Sequence, residues 1–563
     1  MLGSSSGIER PQVKYWRTER DGSTLAASVG RNARLCARRL VASVLWLLHA
    51  FTFPAFFLSL LLVFASPFTS FAQQLPAGGS VAAGGVTIGT PQNGTLNINQ
   101  STNQGIINWN AYSIGVGGTV NYNQPGASAA TLNRVTSSTP SSIAGTINAP
   151  GTVLLVNPNG IAITKSGVIN TGSFSASTLG ITNEDFLAGR YNFQGNGASA
   201  PVSNAGRINV SDGGFVGLLG GRASNRGVIS AKLGKVGLGS GERATIDLYG
   251  DGFLSVTVPS NQTAIGKDGR GRPLVSNPGT INANGGFVNL SAATAANALR
   301  NAVNIPGTIR ANSVGVQNGK IVLNGGAGGI VNVGGRLAAN GGKRGNGGSI
   351  AVAGAKINIP GKITANGKSG GQVAVASTGD LAVWGKVSAK GSTAEGGRID
   401  LYGTDIRLTG ALIDASGATG GGLVRIGGTF QGGNGDPTNP LYQSFIGRFG
   451  TLPDIASAQT VSIDATTKID VSALKTGDGG TAIIWSNEHT SFAGSIFARG
   501  GELGGNGGFV ETSSHNVLDA RGMVTTLAPM GKTGTWLLDP IDITINTTSD
   551  NAVMVPPYCV SDH

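Results

Sequence analysis

The chain has 563 residues, 93 of them glycine, with only 12% charged and a net charge of +12. Glycines alternating with β-branched residues, in a sequence that is 40% hydrophobic, describe many short strands joined by tight turns and argue against both a helix-rich enzyme and a disordered chain. The positive charge is spread out, with no dense basic block carrying interleaved aromatics, so nucleic-acid binding is not expected.

The first element reads as a targeting segment. Residues 1–40 carry eight Lys/Arg against Glu9, Glu19 and Asp21, and residues 41–66 carry no formal charge and are rich in Leu, Phe, Val and Ala. Ser70-Phe71-Ala72 then offers a small-x-small pattern for cleavage between Ala72 and Gln73. The apolar run is long enough to span a bilayer as a permanent anchor, but Pro54, His49 and the cleavage pattern favour an extended signal peptide over residues 1–72. Of the two cysteines, Cys36 lies in this leader and Cys559 near the last residue. The body between them closes no internal disulfide, which suits a large repetitive scaffold.

Further along, "VLLVNPNGIAIT" (153–164) reads as a buried strand, Val153 to Val156, and a second strand starting at Ile161. Between them stand Asn157, Pro158, Asn159 and Gly160. Pro donates no ladder hydrogen bond and Asn-Gly favours positive φ, so the block is a turn. Two roles fit it and are compatible. One is a corner whose asparagine amides satisfy backbone groups and stack on neighbouring coils; the other presents the turn and its flanking strands to a partner by β-augmentation.

The later chain repeats. Gly-x-(Ile/Leu/Val)-x-Ala occurs as "GTINA" at Gly279, "GTIRA" at Gly307, "GRLAA" at Gly335, "GKITA" at Gly361 and "GKVSA" at Gly385, with the variant "GALIDA" at Gly410. Gly-Gly-x-(Val/Ile)-x-(Val/Leu/Ile) falls between them, as in "GGFVNL" and "GGQVAV", and a third short strand precedes each returning glycine, as in "VNIPG" and "LAVWG". Three alternating strands per repeat of roughly 25 residues predict an all-β chain, a right-handed parallel β-helix of roughly 20 coils. At about 4.8 Å per coil the rod would be on the order of 90–100 Å long.

Parallel β-helices also host polysaccharide lyases and hydrolases, whose chemistry needs clustered carboxylates on one face. Acidic residues here are sparse: Glu184 and Asp185 after Asn183, and single carboxylates such as Asp400, Asp405 and Asp414. Asp400 and Asp405 are expected on a solvated face. His489 and His515 are too isolated for metal-ligand spacing. The "GKS" at Gly367 and "GKT" at Gly531 lack the first glycine of a phosphate loop, with Lys362 and Thr526 in its place. No catalytic residue, cofactor site or metal site is assigned, and the chain is read as a non-enzyme.

The stretches "LPAGGSVAAGGVTI", "IINWNAYSIGVGGTVNYNQPGASAATLNRVT", "VLLVNPNGIAIT", "INTGSFSASTLGIT" and "DFLAGRYNF" occur in this order. Residues 73–310 so resemble the filamentous haemagglutinin-type secretion domain of two-partner secretion exoproteins, in the high-molecular-weight adhesin and haemopexin-binding subgroup. The long cationic leader is similar to the extended signal peptides of that family. The resemblance implies an N-terminal cap and recognition in the periplasm by an outer-membrane barrel transporter. Its functional signature carries over onto Asn157, Pro158, Asn159, Gly160 and Ile161, with Asn103 and Asn108 upstream and Asn133 and Arg134 in "LNRVT". The separate NPNL motif of some members is absent from the sequence.

Residues 311–545 read as a β-helical rod. "GTWLLDPIDITI" (534–545) resembles a segment inside larger exoproteins, and residues 546–563 lose the glycine rhythm, as an irregular tail or truncation product would. The function expected is that of a secreted, surface-exposed exoprotein or adhesin, with a host or neighbouring-cell receptor or glycan as a further partner. The alternatives are a β-helical polysaccharide-active enzyme, or a truncated haem-acquisition or contact-dependent toxin exoprotein.

Overall fold

The computed structural model describes residues 74–539, except 198–199, 251, 258–270, 297–298, 434–435 and 454, together with the backbone of 559–560. The leader, its cleavage point at Ala72 and Gln73, and nearly all of the tail lie outside the described residues. Each turn of the chain lays one strand on each of three sheets. Thr280–Asn282 lies on a first face, Phe287–Ala292 on a second and Arg300–Asn304 on a third. The chain then returns as Thr308–Arg310, which pairs in parallel with Thr280–Asn282, Ile309 beside Ile281. The three repeated motifs are these three faces, and the molecule is a parallel β-helix.

Among the described residues the first face holds 16 strands, of which only Val86–Ile88 is antiparallel, leaving 15 rungs. That is fewer than the roughly 20 expected, and the stack is roughly 70 Å long at about 4.8 Å per rung. The difference comes from excursions that leave the helix between rungs. Asn225 and Asn277 sit on adjacent rungs yet are 52 residues apart, and Ala411 and Thr467 are 56 apart.

Every rung must accept the side chains of the rung below it. Ile229, Ile281, Ile309, Leu337, Ile363, Val387, Ile413 and Ile469 form one fully buried column inside the coil, each worth about 2 kcal/mol of burial. Glycines stack at the corners because the backbones nearly touch there. A Cβ built on Gly385 would overlap the carbonyl oxygen of Gly361, and one built on Gly397 that of Gly371. Asparagines stack on the outer surface, each amide donating to the one below: Asn121 to Asn97 (3.1 Å), Asn148 to Asn121 (2.9 Å), Asn170 to Asn148 (3.2 Å) and Asn209 to Asn170 (3.0 Å).

Two excursions cover the outer surface of the second face. The first carries helix α1 (Asn183–Leu187) and a three-stranded antiparallel sheet of Tyr191–Gln194, Arg243–Asp247 and Phe253–Thr257. It buries Phe186, Phe193 and Phe253 against Ile106, Leu154 and Leu219. The second carries helix α2 (Pro440–Phe449), started by Asn439, whose side chain accepts from the Leu441 N–H. It packs Phe430 and Phe445 on Leu423, Ile483 and Trp485.

Under this second cover the expectation for Asp400 fails. Asp400 is 1% exposed and is held by Arg425 Nε at 2.8 Å and Arg398 Nε at 3.0 Å, with Arg425 also donating to the Pro453 carbonyl. Asp400 points outward from the second face, as the strand alternation requires, but the excursion has replaced solvent there. Asp405 stands on the third face, where it accepts from Thr460. The two carboxylates therefore share no face.

Glu511 is also buried beneath the second cover, where its carboxyl accepts the Gln431 N–H. Burial, reinforced by Asp539, pushes its pKa from 4.5 up to about 8. The native state thus holds a proton the unfolded chain has lost, so stability is full below about pH 4.5 and falls as pH rises toward 8. Glu511→Gln should remove that slope, so that the variant's thermal midpoint drops less than the parent's between pH 5 and pH 9. For the corner glycines, Gly385→Ala should cost about 1–3 kcal/mol in urea unfolding because neither backbone can move aside. Gly126→Ala, where the new methyl meets nothing within 4 Å, should be close to neutral.

Candidate functional site

The signature residues of the secretion resemblance fall on the first few rungs. Gln104–Trp109 and Ala130–Val135 pair in parallel on the second face, placing Ile107 beside Asn133 and Asn108 beside Arg134. Alternation sends Asn133 into the coil and Arg134 outward.

Inside, Asn133 is fully buried and organises a polar cluster. Its Oδ1 accepts from Trp109 Nε1 at 3.0 Å and from Tyr122 Oη at 2.8 Å, and its Nδ2 donates to the Leu154 carbonyl at 3.3 Å. Tyr122 and Tyr112 share a 2.8 Å hydrogen bond, and burial pushes both phenols well above their ordinary pKa. Each polar atom in such a core needs a partner, because an orphaned one costs about 1–3 kcal/mol. A second buried chain crosses three rungs: Thr131 donates to Gln100 (2.6 Å), Gln124 donates to Thr131 (2.8 Å) and to the Thr152 carbonyl, and Gln124 accepts the Gly151 N–H.

Outside, Arg134 joins the rungs to the first cover. Its guanidinium donates to Asn108 Oδ1 (3.2 Å), to the Ile181 carbonyl (2.9 Å) and to Asn183 Oδ1 (3.0 Å). Burial lowers its pKa, opposed by the charge of Glu184. Gln104 reaches the same cover through the Phe186 carbonyl at 2.9 Å.

The NPNG block is a corner between Thr152–Val156 and Ile161–Ile163. Asn157 is fully buried, and its amide donates to the Thr139 carbonyl and to Ser141 Oγ, both at 2.9 Å. Its Oδ1 accepts from the Asn159 N–H at 3.0 Å and from Asn159 Nδ2 at 3.2 Å. Asn159 is exposed and also donates to the Ser137 carbonyl (2.8 Å), so both asparagines clamp the segment of the preceding coil. Gly160 takes φ +116°, open to glycine and strained for other residues. Ile161 is buried between Ser141 and Val202 on the neighbouring rungs.

The nine signature residues therefore divide by exposure. Asn133, Asn157, Gly160 and Ile161 are buried; Asn108, Arg134 and Pro158 are partly buried; Asn103 and Asn159 are exposed. Asn108 meets Arg134, and Asn157 meets Asn159. The Asn103 carbonyl accepts the Ala130 N–H, while its side chain joins neither group. Sequence reasoning missed Tyr112, Tyr122, Gln100, Gln124 and Thr131; the signal for Tyr122 was its alternation with Val120 at inward positions of Thr119–Asn123. Among the described residues no group of three His, Cys, Asp or Glu side chains is placed to hold a metal ion. His489 and His515 stand on neighbouring rungs, and His515 Nδ1 lies 3.0 Å from Asn516 Oδ1.

This arrangement defines a class, a parallel β-helix whose first rungs are capped by antiparallel strands and locked by buried amides. Residues 72–339 match the family model of the TPS secretion domain. A heme/hemopexin-binding protein of Haemophilus influenzae is 34% identical over 267 residues, which cover 45% of this chain and 27% of that relative. A second protein of the same name and species is 28% identical over 262 residues, 43% of this chain and 27% of the relative. The chain thus spans about a quarter of the length of the relatives it matches. The crystal structure of the HMW1 secretion domain from Haemophilus influenzae aligns with a TM-score of 0.47 at 28% identity, covering 80% of this chain and 100% of that one.

Asn133→Ala would orphan the Trp109 indole N–H and leave the Tyr122 hydroxyl only its bond to Tyr112. It should destabilise the first rungs by about 1–3 kcal/mol, read as faster amide exchange in strands 104–109 and 152–156. Asn103→Ala, at an exposed side chain, should leave those exchange rates unchanged.

Proposed function

We propose that the chain is exported across the outer membrane by a barrel transporter whose periplasmic domains recognise the N-terminal rungs, and that the released rod works at or beyond the cell surface as a non-catalytic binding protein. The match of residues 72–339 to the TPS secretion domain carries this reading. The nine signature residues contribute in two ways. Asn103, Asn108, Arg134, Pro158 and Asn159 reach the surface and take part in recognition. Asn133, Asn157, Gly160 and Ile161 act through the rungs they build.

Strand addition by the partner fits an early stage of export. In the folded chain the N-terminal edge is occupied by Ser80–Ala83 on Gln104–Trp109 and by Val86–Ile88 on Thr95–Gln100, so β-augmentation would take place before these cap strands close. Each later rung then forms on the one before it. What the Haemophilus relatives bind, as their names state it, belongs to proteins of which the shared segment is 27%, and it is not carried over.

The test is release into the medium with and without the transporter, for the parent and two variants. Parent release should depend on the transporter. Asn157→Ala should lower release together with protease resistance of the first rungs, whereas Asn103→Ala should lower release with resistance unchanged. Release that ignores the transporter would overturn the reading.

A further inference from the structure

One corner of the rod, far along the chain from the secretion signature, carries an axial groove. Its floor is the glycine column Gly307, Gly335, Gly361 and Gly385, which has no side chains to fill it. One wall holds the residues just before those glycines, among them Pro306, Pro360 and Trp384; Trp384 is 47% exposed. The other wall holds the first outward residue of each first-face strand. There Arg336 lies in register with Lys362, Lys362 with Lys386, Lys386 with Leu412, and Leu412 with Lys468. The groove is shallow and open to solvent, with a volume of about 520 Å³.

Four of five successive rungs thus present a cation along one line, about 4.8 Å from rung to rung. Like charges held in register repel and weaken the sheet that carries them. Local carboxylates do little to relieve this: Lys386 has Asp414 at 3.6 Å, and among the described residues neither Arg336 nor Lys362 is paired with a carboxylate. The column costs the fold stability, and a polyanion laid along it would reverse that cost. The facing wall selects among polyanions. An exposed indole beside proline rings offers a flat apolar surface for the C–H face of a sugar, and the rung spacing is close to the advance of one 1→4-linked pyranose.

We propose that this groove binds a linear acidic polysaccharide along the rod axis, its carboxylate or sulfate groups on Arg336, Lys362 and Lys386 and a sugar ring on Trp384. The inference goes beyond the export reading and does not depend on it. A polynucleotide would satisfy the cations equally well, but single-strand binding sites stack successive bases on several aromatic rings, and this groove offers only Trp384.

Oligogalacturonate titrated into the purified chain at low salt tests the proposal, with its fully methyl-esterified form and oligo-dT as comparison probes. Binding should be seen with the acid form, be absent with the ester and weaken as salt is added. Arg336→Gln with Lys362→Gln, and separately Trp384→Ala, should each weaken it about tenfold or more. The charge-matched control, Lys343→Gln with Arg344→Gln on an exposed turn outside the groove, should leave it unchanged. Loss of equal size in the control, oligo-dT binding as tight as the sugar acid, indifference to Trp384→Ala, or no binding at low salt would each overturn the proposal.

Discussion

A strand of this molecule must hydrogen-bond to a near copy of itself one rung away, and that requirement governs almost every residue choice. At a spacing of about 4.8 Å, whatever occupies a position must tolerate its own kind directly above and below. Aliphatic side chains do so by forming columns inside the coil. Asparagines do so by passing a hydrogen bond along the stack, as from Asn209 down to Asn97. At the tightest corners only glycine fits, because a methyl on Gly385 would occupy the position of the Gly361 carbonyl. The high glycine content is therefore a packing requirement of the stack.

The departures from this rule are the informative places. Where the second face carries large apolar or charged residues outward, an excursion covers them. The first cover protects Ile106, Leu154 and Leu219, and the second protects Leu423, Ile483 and the Arg425–Asp400 pair. Inside the first rungs the departure takes another form, a set of buried amides and hydroxyls around Asn133 and Gln124. Such a network is favourable only when every member finds its partner, so it fixes the register of the rungs on which all later ones stack.

The repeating part of the fold was legible because its physical cause repeats. Gly-x-(Ile/Leu/Val)-x-Ala returns at many of the chain's visits to the first face, and the NPNG corner shows itself by a proline that cannot enter a ladder and a glycine at positive φ. The covers were not legible, because their contacts join distant segments: Tyr191–Gln194 pairs with Arg243–Asp247, which no local pattern announces. The same excursions explain why the coils are fewer than chain length suggested, and why Asp400 is buried where alternation alone placed it in water. At the candidate site, sequence marked nine residues as a group. It could not separate Asn133 and Asn157, turned inward, from Asn103 and Asn159, turned outward, since all four are asparagines in strand-and-turn contexts.

That separation underlies the two roles proposed for the signature residues, surface contact and rung assembly, and a body without internal disulfides suits a chain that closes rung by rung. Site-specific photo-crosslinking in cells distinguishes the roles most directly, with the reactive group placed at 103, 159 or 133 while the transporter is present. Adducts to the transporter from 103 and 159, with none from 133 once the rungs have closed, are the predicted result. Equal adducts from all three positions, or adducts from 133 alone, would contradict it.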